Sequence, residues 1–169
     1  MRRSLCVARR MNTRSHRRLA AAVYTHPNAI FSITTATRDR AKVFADVRVA
    51  AAVVDVLRER AAFHILRVLA YCVMPDHVHI LMSPSRTCDV PTFVGQFKNL
   101  AQRRAWALGV HGVFWQKSFY DRALRRDDDV ATVARYIFNN PVRAGLVQAA
   151  RDYDFSGGEL AEDASSNRD

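Results

Sequence analysis

The spacing of apolar residues predicts two amphipathic helices and four strands. Apolar side chains recur at alternating intervals of four and three between Val43 and Ala61, which is the pattern of a helix that buries one face. A second helix of this kind is predicted from Pro91 to Leu108. Segments rich in β-branched and aromatic residues, bounded by turn residues, predict strands at 29–37, 63–74 and 77–83 and a fourth strand within 113–124.

A third helix is predicted from Asp127 to Asn140. The aspartates at 127–129 favour the positive end of a helix, and Pro141 helps to end it. The predicted order is therefore strand, helix, strand, strand, helix, strand, helix. The first six elements are those of a ferredoxin-like split βαβ sandwich, an α+β fold whose antiparallel sheet carries helices on one face. The third helix is an addition at the C-terminal end.

Composition divides the chain into three parts. Residues 1–19 contain seven arginines and no acidic residue, and we predict a basic, flexible arm; a transit peptide, a DNA-binding arm and a start codon assigned too far upstream all fit this pattern. Residues 20–150 form the predicted folded domain. Residues 151–169 include Gly157-Gly158 and six acidic residues but little apolar content, so we predict a disordered acidic tail.

The charge balance favours a polyanionic partner. The formal net charge is +10 and the isoelectric point is about 10.4, as is typical of proteins that bind nucleic acid. The sequence has no run of about 18 apolar residues, so no membrane span is expected. Three cysteines without a CxxC motif predict neither a disulfide framework nor a zinc ribbon. We therefore expect a cytoplasmic, nucleoid-associated protein.

Two histidines alternate at the start of the strand predicted at 77–83. Alternate residues of a strand share a face, so His77 and His79 project together while Val78 and Ile80 point into the core. Two imidazoles on one strand face can bind a single divalent ion. Because the pattern is short, it also fits a pair of surface histidines without a ligand role.

Tyr136 and Asn140 lie four residues apart on the third predicted helix. Residues at this spacing are neighbours on a helix surface, so a phenol and an amide lie side by side at the edge of the buried stripe. The same residues also fit a boundary tyrosine and a helix-capping asparagine. The predicted buried stripe consists of Val130, Val133, Ala134 and Ile137.

Three motifs together resemble the single-tyrosine HUH transposases, most closely the REP-associated tyrosine transposases. Weaker similarity extends over most of residues 24–150. The matching motifs are Tyr71-Cys-Val-Met-Pro-Asp-His77-Val-His79; then Trp115-Gln116, Phe119-Tyr120-Asp121 and Leu124-Arg125; and finally Arg135-Tyr136-Ile137 with Asn140-Pro141-Val-Arg-Ala-Gly-Leu-Val147.

The resemblance implies a ferredoxin-like fold and a catalytic C-terminal helix. It implies that His77, His79 and Asn140 hold Mg²⁺ or Mn²⁺, and that Tyr136 attacks a DNA phosphate to form a 5′-phosphotyrosine. The implied substrate is single-stranded or hairpin DNA, cut and rejoined in DNA transposition or in the processing of repeat hairpins. The implied assembly is a monomer or a homodimer. The residue types agree with this chemistry, since a metal ion neutralises phosphate charge and a covalent intermediate allows rejoining without ATP.

Basic residues near these motifs are the candidate DNA contacts. Phosphate contacts give affinity without sequence information, and each residue also fits an ordinary solvated position. Trp115 and Phe119 can stack on bases or belong to the core. The predicted DNA-binding residues are Lys98, Arg103, Arg104, Lys117, Arg122, Arg125, Arg126 and Arg143.

Other readings of the same residues remain open. Tyr120, beside Asp121, is a rival nucleophile, although we interpret its ring as packing and prefer Tyr136. The chain also fits a non-catalytic DNA-binding descendant of such a transposase, or a metal-dependent hydrolase in which Tyr136 is structural. A replication or conjugation nickase of the same superfamily fits less well, because those proteins usually carry additional domains.

Overall fold

One antiparallel sheet forms the centre of the protein. The computed structural model describes residues 21–24, 26 and 28–161, and its strands pair in the order β4-β1-β3-β2-β5. A short connection at Pro75 and Asp76 joins β2 to β3 as a hairpin. The strands are β1 (Phe31–Ala36), β2 (Arg67–Met74), β3 (His77–Ser83), β4 (Tyr120–Ala123) and β5 (Ser156–Gly157).

Aspartate caps begin the two long helices. Asp46 accepts a hydrogen bond from the backbone N–H of Arg48 at 2.9 Å, and Asp89 accepts one from Thr92 at 2.8 Å, which satisfies donors that a helix N-terminus leaves unpaired. The helices of the described residues are α1 (Ala21–Tyr24), α2 (Val47–His64), α3 (Val90–Ala107), α4 (Val130–Phe138) and α5 (Asn140–Arg143), with 3₁₀ turns at Arg38–Arg40, Val43–Ala45 and Ala150–Asp152.

The two faces of the sheet have different partners. Val78 and Ile80 of β3 point toward α2 and α3 and belong to the larger apolar core. The alternate residues of β3 point to the opposite face, where Leu81 packs in a second core with α4. We call this opposite face the site face, because His77 and His79 lie on it.

α4 covers the site face over β2 and β3. Ala134, Ile137 and Phe138 of this helix are buried against Cys72 and Leu81 of the sheet. The ferredoxin-like α+β prediction is confirmed: the antiparallel order β4-β1-β3-β2 carries α2 and α3 on one face, and the added helix packs on the other.

Several element boundaries differ from the predicted ones. The strand predicted at 63–74 begins at Arg67, because α2 continues to His64 and ends at Ile65, whose φ of 53° is left-handed. The fourth strand, predicted to lie within 113–124, is β4 at 120–123. Trp115 precedes it and forms only an isolated antiparallel bridge with Thr37, while the rings of Phe114 and Trp115 pack against Phe44. No helix of the described residues is long and apolar enough to cross a membrane.

Residues 151–161 are folded onto the sheet, which corrects the prediction of a disordered tail for this part of 151–169. β5 pairs with β2, and the Tyr153 hydroxyl donates to the Val73 carbonyl at 2.7 Å. Gly158 has a φ of 129° and passes so close to β2 that a Cβ atom would lie 2.6 Å from the Leu69 carbonyl oxygen. Gly158 therefore allows two backbones to approach closely, and Gly157 leaves room for the Tyr71 side chain. The predicted arm at 1–19 and residues 162–169 lie outside the described residues.

Candidate active site

His77 and His79 lie at the start of β3 with their side chains on the site face. In the register of the sheet they are opposite Ala36 and Thr34 of β1. Both histidines are half-buried, and their rings meet edge to face with centroids 4.6 Å apart. The alternation of the strand therefore brings the two imidazoles together as predicted.

Two neighbouring side chains orient the imidazoles. Nδ1 of His77 lies 2.5 Å from the Asp76 carboxylate, and Nδ1 of His79 lies 3.0 Å from the Thr34 hydroxyl. The carboxylate accepts a hydrogen bond from Nδ1 of His77, so the lone pair of that ring is on Nε2. A hydroxyl can donate or accept, so Thr34 fits either tautomer of His79.

The two Nε2 atoms face each other at a distance of 2.9 Å. Burial, together with the charges of His77, Arg40 and Arg143, lowers the pKa of His79 to about 3, so this imidazole is neutral near pH 7. Neutral imidazole is the form that ligates metals. In the tautomer of His79 whose Nδ1–H donates to Thr34, both rings carry their lone pair on Nε2, and these two nitrogens fit the ligation of one divalent cation.

α4 carries Tyr136 to the edge of the site face. The helix begins at the cap Asp129, which accepts from the Ala131 N–H at 3.0 Å, so the three aspartates predicted in its first turn precede it instead. Ile137 next to Tyr136 is buried, whereas the Tyr136 side chain is 53% exposed. The nucleophile proposed from the sequence is therefore on the surface, where a strand of DNA can reach it.

Arg143 connects Tyr136 electrostatically with the histidines. The centre of its guanidinium group lies 4.3 Å from the centroid of the Tyr136 ring, within the range of a cation–π contact. Its charge also contributes to the low pKa of His79. Arg143 therefore lies close to both the candidate nucleophile and the candidate metal ligands.

Asn140 lies one helical turn beyond Tyr136, at the start of α5. The chain stays helical through Asn139, so the spacing of four residues is preserved in space. The amide nitrogen of Asn140 donates to the Ile137 carbonyl at 3.2 Å, which leaves the amide oxygen as its acceptor group. Among residues 21–24, 26 and 28–161, no group of three His, Cys, Asp or Glu side chains is arranged to hold a metal ion.

The loop from β1 to α2 contributes a positively charged side chain, Arg40, that the sequence pattern does not indicate. Arg40 has a left-handed φ of 55°, and its guanidinium group lies 3.5 Å from the Asp76 carboxylate. Its charge reaches His79 as well. The sequence alone does not identify Thr34 and Arg40 as neighbours of the histidines, because their contacts depend on how the strands pair. Asp76 directly precedes His77, so its carboxylate can be recognised as a neighbour from the sequence.

A family model covers most of this region. The model described as Transposase IS200 like matches residues 25–140. The chain belongs to this family of transposases. A REP-associated tyrosine transposase of Escherichia coli is 28% identical over 105 residues, which is 62% of this chain and 59% of that protein. A Haemophilus influenzae relative of the same type is 30% identical over 105 residues, covering 52% and 56% of the two chains.

A solved structure has the same fold. It is a REP-associated tyrosine transposase bound to a REP hairpin, with a TM-score of 0.70 and 20% identity over 91% of this chain and 86% of that one. The resemblance to this type of transposase, inferred from the motifs, is confirmed at the level of the family. The chain spans a little more than half the length of the curated relatives that it matches, 56% and 59%.

The basic residues predicted to bind DNA have different surroundings in the structure. Burial lowers the pKa of Lys98, whose ammonium donates to the Gln116 carbonyl at 2.5 Å, so this lysine ties α3 to the next loop. Arg104 pairs with Glu59 of α2 at 2.7 Å, on the helix side of the molecule. Arg122 pairs with Asp128 at 2.6 Å and is still half-exposed, while Arg103, Lys117, Arg125, Arg126 and Arg143 are exposed.

Three aromatic residues of the matching motifs divide between core and surface. Trp115 is buried beside Phe97, and Phe119 packs against the same core. Tyr120 was interpreted as a packing ring, but it is 43% exposed. It pairs with Thr34 of β1, so its side chain lies on the site face. Tyr120 is exposed because β4 lies at the edge of the sheet and one row of its side chains points away from α2 and α3.

Proposed function

We propose that this transposase-family chain cuts and rejoins single-stranded DNA, with Tyr136 as nucleophile. His77, His79 and Asn140 would hold the divalent cation, Mg²⁺ or Mn²⁺. The observation that carries the proposal is the pair of Nε2 atoms that converge at 2.9 Å on the sheet face that α4 covers. Tyr136 and Arg143 are both exposed and in contact, and the charge of Arg143 reaches His79, which supports a shared site for the nucleophile and the cation.

The covalent step exchanges one phosphate ester for another. The Tyr136 oxygen attacks the phosphorus and loses its proton, the bond from phosphorus to the 3′ oxygen breaks, and that oxygen leaves as a 3′-OH after taking up a proton. The products are a 5′-phosphotyrosine and a free 3′-OH, and reversal rejoins a strand without ATP. A bound divalent cation supplies Lewis-acid stabilisation of the phosphate charge. Asp76 and Thr34 keep the imidazoles oriented, and Arg143 is positioned to bind the phosphate.

The proposed substrate is hairpin-bearing single-stranded DNA. Two observations support it: the net charge of +10 and the REP hairpin bound by the structurally similar transposase. The exposed residues Arg103, Lys117, Arg125 and Arg126, together with Arg122 and Arg143, are the proposed phosphate contacts. Assembly as a monomer or a homodimer and association with the nucleoid are predictions from the sequence.

A strand-cleavage assay tests the proposal. The substrate is single-stranded DNA that contains a hairpin from inverted repeats beside the gene, labelled at its 3′ end. With Mn²⁺ we expect cleavage that EDTA abolishes, and we expect loss of cleavage in His77→Ala and His79→Ala, since each change removes one ligand. His64→Gln is the matched control. His64 lies at the end of α2, on the opposite side of the sheet, where it is hydrogen-bonded to Gln96 of α3.

The outcomes separate the competing functions. Cleavage by the double histidine variant in EDTA would refute the metal site. Cleavage that releases a free 5′-phosphate at once, without a protein-bound product, would identify a metal-dependent hydrolase. Binding of the hairpin with no cleavage in Mg²⁺ or Mn²⁺ would identify a non-catalytic DNA-binding protein.

A further inference from the structure

The site face is only partly covered by α4. This helix packs over β2 and β3, so the residues of β1 and β4 near the histidines are less buried. Ser32 and Thr34 of β1 are half-buried, and Tyr120 and Arg122 of β4 are exposed. We call these four residues and the surface between them the open half of the site face.

The strand register aligns Tyr120 with the histidine centre. Tyr120 is paired with Thr34, and Thr34 is paired with His79, so the three side chains form a row across β4, β1 and β3 on one side of the sheet. The hydrogen bond of 3.0 Å between the Thr34 hydroxyl and His79 confirms that this row lies on the site face. Two strand spacings separate Tyr120 from His79, which is about 10 Å between the backbones.

The chemistry of this surface fits a single nucleic acid strand. Tyr120 presents a flat ring that is 43% exposed, and aromatic rings of this kind stack on the bases of single strands. Arg122 lies two residues further along the same face of β4, with half of its side chain exposed although it pairs with Asp128. The Tyr120 ring can therefore stack on a base, and the Arg122 guanidinium can bind a phosphate of the DNA backbone.

We propose that Tyr120 is the stacking residue for a base of the DNA strand that flanks the phosphate cut at the histidine centre. The strand lies across the open half of the site face, with its backbone near Arg122. This inference deepens the proposed function and rests on it for the place of the cut, but not for the stacking contact. Since every base has a flat face, Tyr120 contributes affinity and position rather than sequence specificity.

A binding experiment without cleavage tests this subsite. All proteins carry Tyr136→Phe and are kept in EDTA, so that no reaction occurs. The probe is an oligo-dT strand with a single 2-aminopurine, whose fluorescence is quenched when an aromatic ring stacks on it. Affinity is read from fluorescence anisotropy and stacking from the quenching. We compare Tyr120→Phe, which keeps the ring, with Tyr120→Leu, which removes it.

We expect Tyr120→Phe to retain both affinity and quenching, and Tyr120→Leu to lose the quenching and to bind roughly tenfold more weakly. Phe63→Leu is the matched control. Phe63 is an exposed aromatic, 68% accessible, at the end of α2 on the other side of the sheet, and its loss should change neither readout. Thermal melting shows whether each variant is folded.

Two results would overturn the inference. One is a folded Tyr120→Leu protein with unchanged affinity and quenching. The other is an equal loss in Phe63→Leu, which would mean that the single strand binds elsewhere. The proposed function fails differently: if the protein with Tyr136 intact never cuts DNA in Mn²⁺ while Tyr120 still quenches the probe, the chain binds single strands but does not cleave them.

Discussion

At the scale of single residues, the orientation of the two imidazoles depends on groups that are not ligands themselves. Asp76 holds Nδ1 of His77, and Thr34 holds Nδ1 of His79. Such supporting hydrogen bonds fix the tautomer and the ring plane of a metal-binding histidine. Arg40 in turn neutralises part of the charge of Asp76 at 3.5 Å.

Asp76→Ala should weaken cation binding without unfolding the protein. Removal of an outer carboxylate of this kind usually lowers metal affinity by about 10–100-fold, because the imidazole loses its fixed orientation and some basicity. The affinity for Mn²⁺ can be measured by electron paramagnetic resonance of the free ion. Asp55→Ala, which removes an exposed carboxylate from α2, is the control. Equal Mn²⁺ affinity in wild type and Asp76→Ala would argue against a metal site at His77 and His79.

The sequence indicates some of these residues better than others. His77, His79 and Tyr136 follow from local spacing, since two residues of a strand or four of a helix fix which side chains are neighbours. Thr34 and Arg40 belong to elements more than 35 residues away in the chain, so their contacts depend on strand pairing. Tyr120 was misjudged for the same reason: its exposure follows from the position of β4 at the edge.

At the scale of elements, the segment from 150 to 161 closes the edge of β2. The pairing of β5 and the hydroxyl of Tyr153 hold it in place. Its sequence predicted disorder because it is rich in acidic residues and glycine and has few apolar residues. Composition does not reveal that Gly158 allows two backbones to meet, and this contact turns a polar segment into part of the sheet.

Tyr153→Phe should destabilise this attachment measurably. The change removes the hydrogen bond to the Val73 carbonyl and should lower the free energy of unfolding by about 1 kcal/mol. Urea unfolding and limited proteolysis near residue 150 measure the effect. A variant with wild-type stability and protease resistance would show that the segment is not attached in this way.

The same tyrosine predicts a dependence on alkaline pH. Burial, with a smaller contribution from nearby Cys72, raises the pKa of Tyr153 from 10.0 to about 12. Because the folded pKa is above the unfolded one, its contribution to stability is full below pH 10 and is lost as the pH rises toward 12. Wild type should therefore lose more stability than Tyr153→Phe over this interval, as urea unfolding at each pH would measure.

At the scale of the whole molecule, the sheet separates packing from chemistry. One face is sealed by α2 and α3 in a continuous apolar core, and the other carries the histidines, the nucleophile helix and the open half of the site face. The element order was sufficient to predict this ferredoxin-like architecture, since few topologies accommodate it. The fourth strand could be placed only within 113–124, because buried residues outside it, such as Trp115, are as apolar as strand residues.

The most direct test of the account is to locate the covalent link between protein and DNA. Wild-type protein is incubated with the labelled hairpin strand and Mn²⁺, denatured in SDS, and digested with trypsin and nuclease. The adduct should survive SDS and carry the phosphate on the peptide from Tyr136 to Arg143, and Tyr136→Phe should form none while Tyr120→Phe forms it normally. An adduct on the peptide 118–122, which contains Tyr120, or cleavage with no adduct at all would contradict the assignment of Tyr136 as nucleophile.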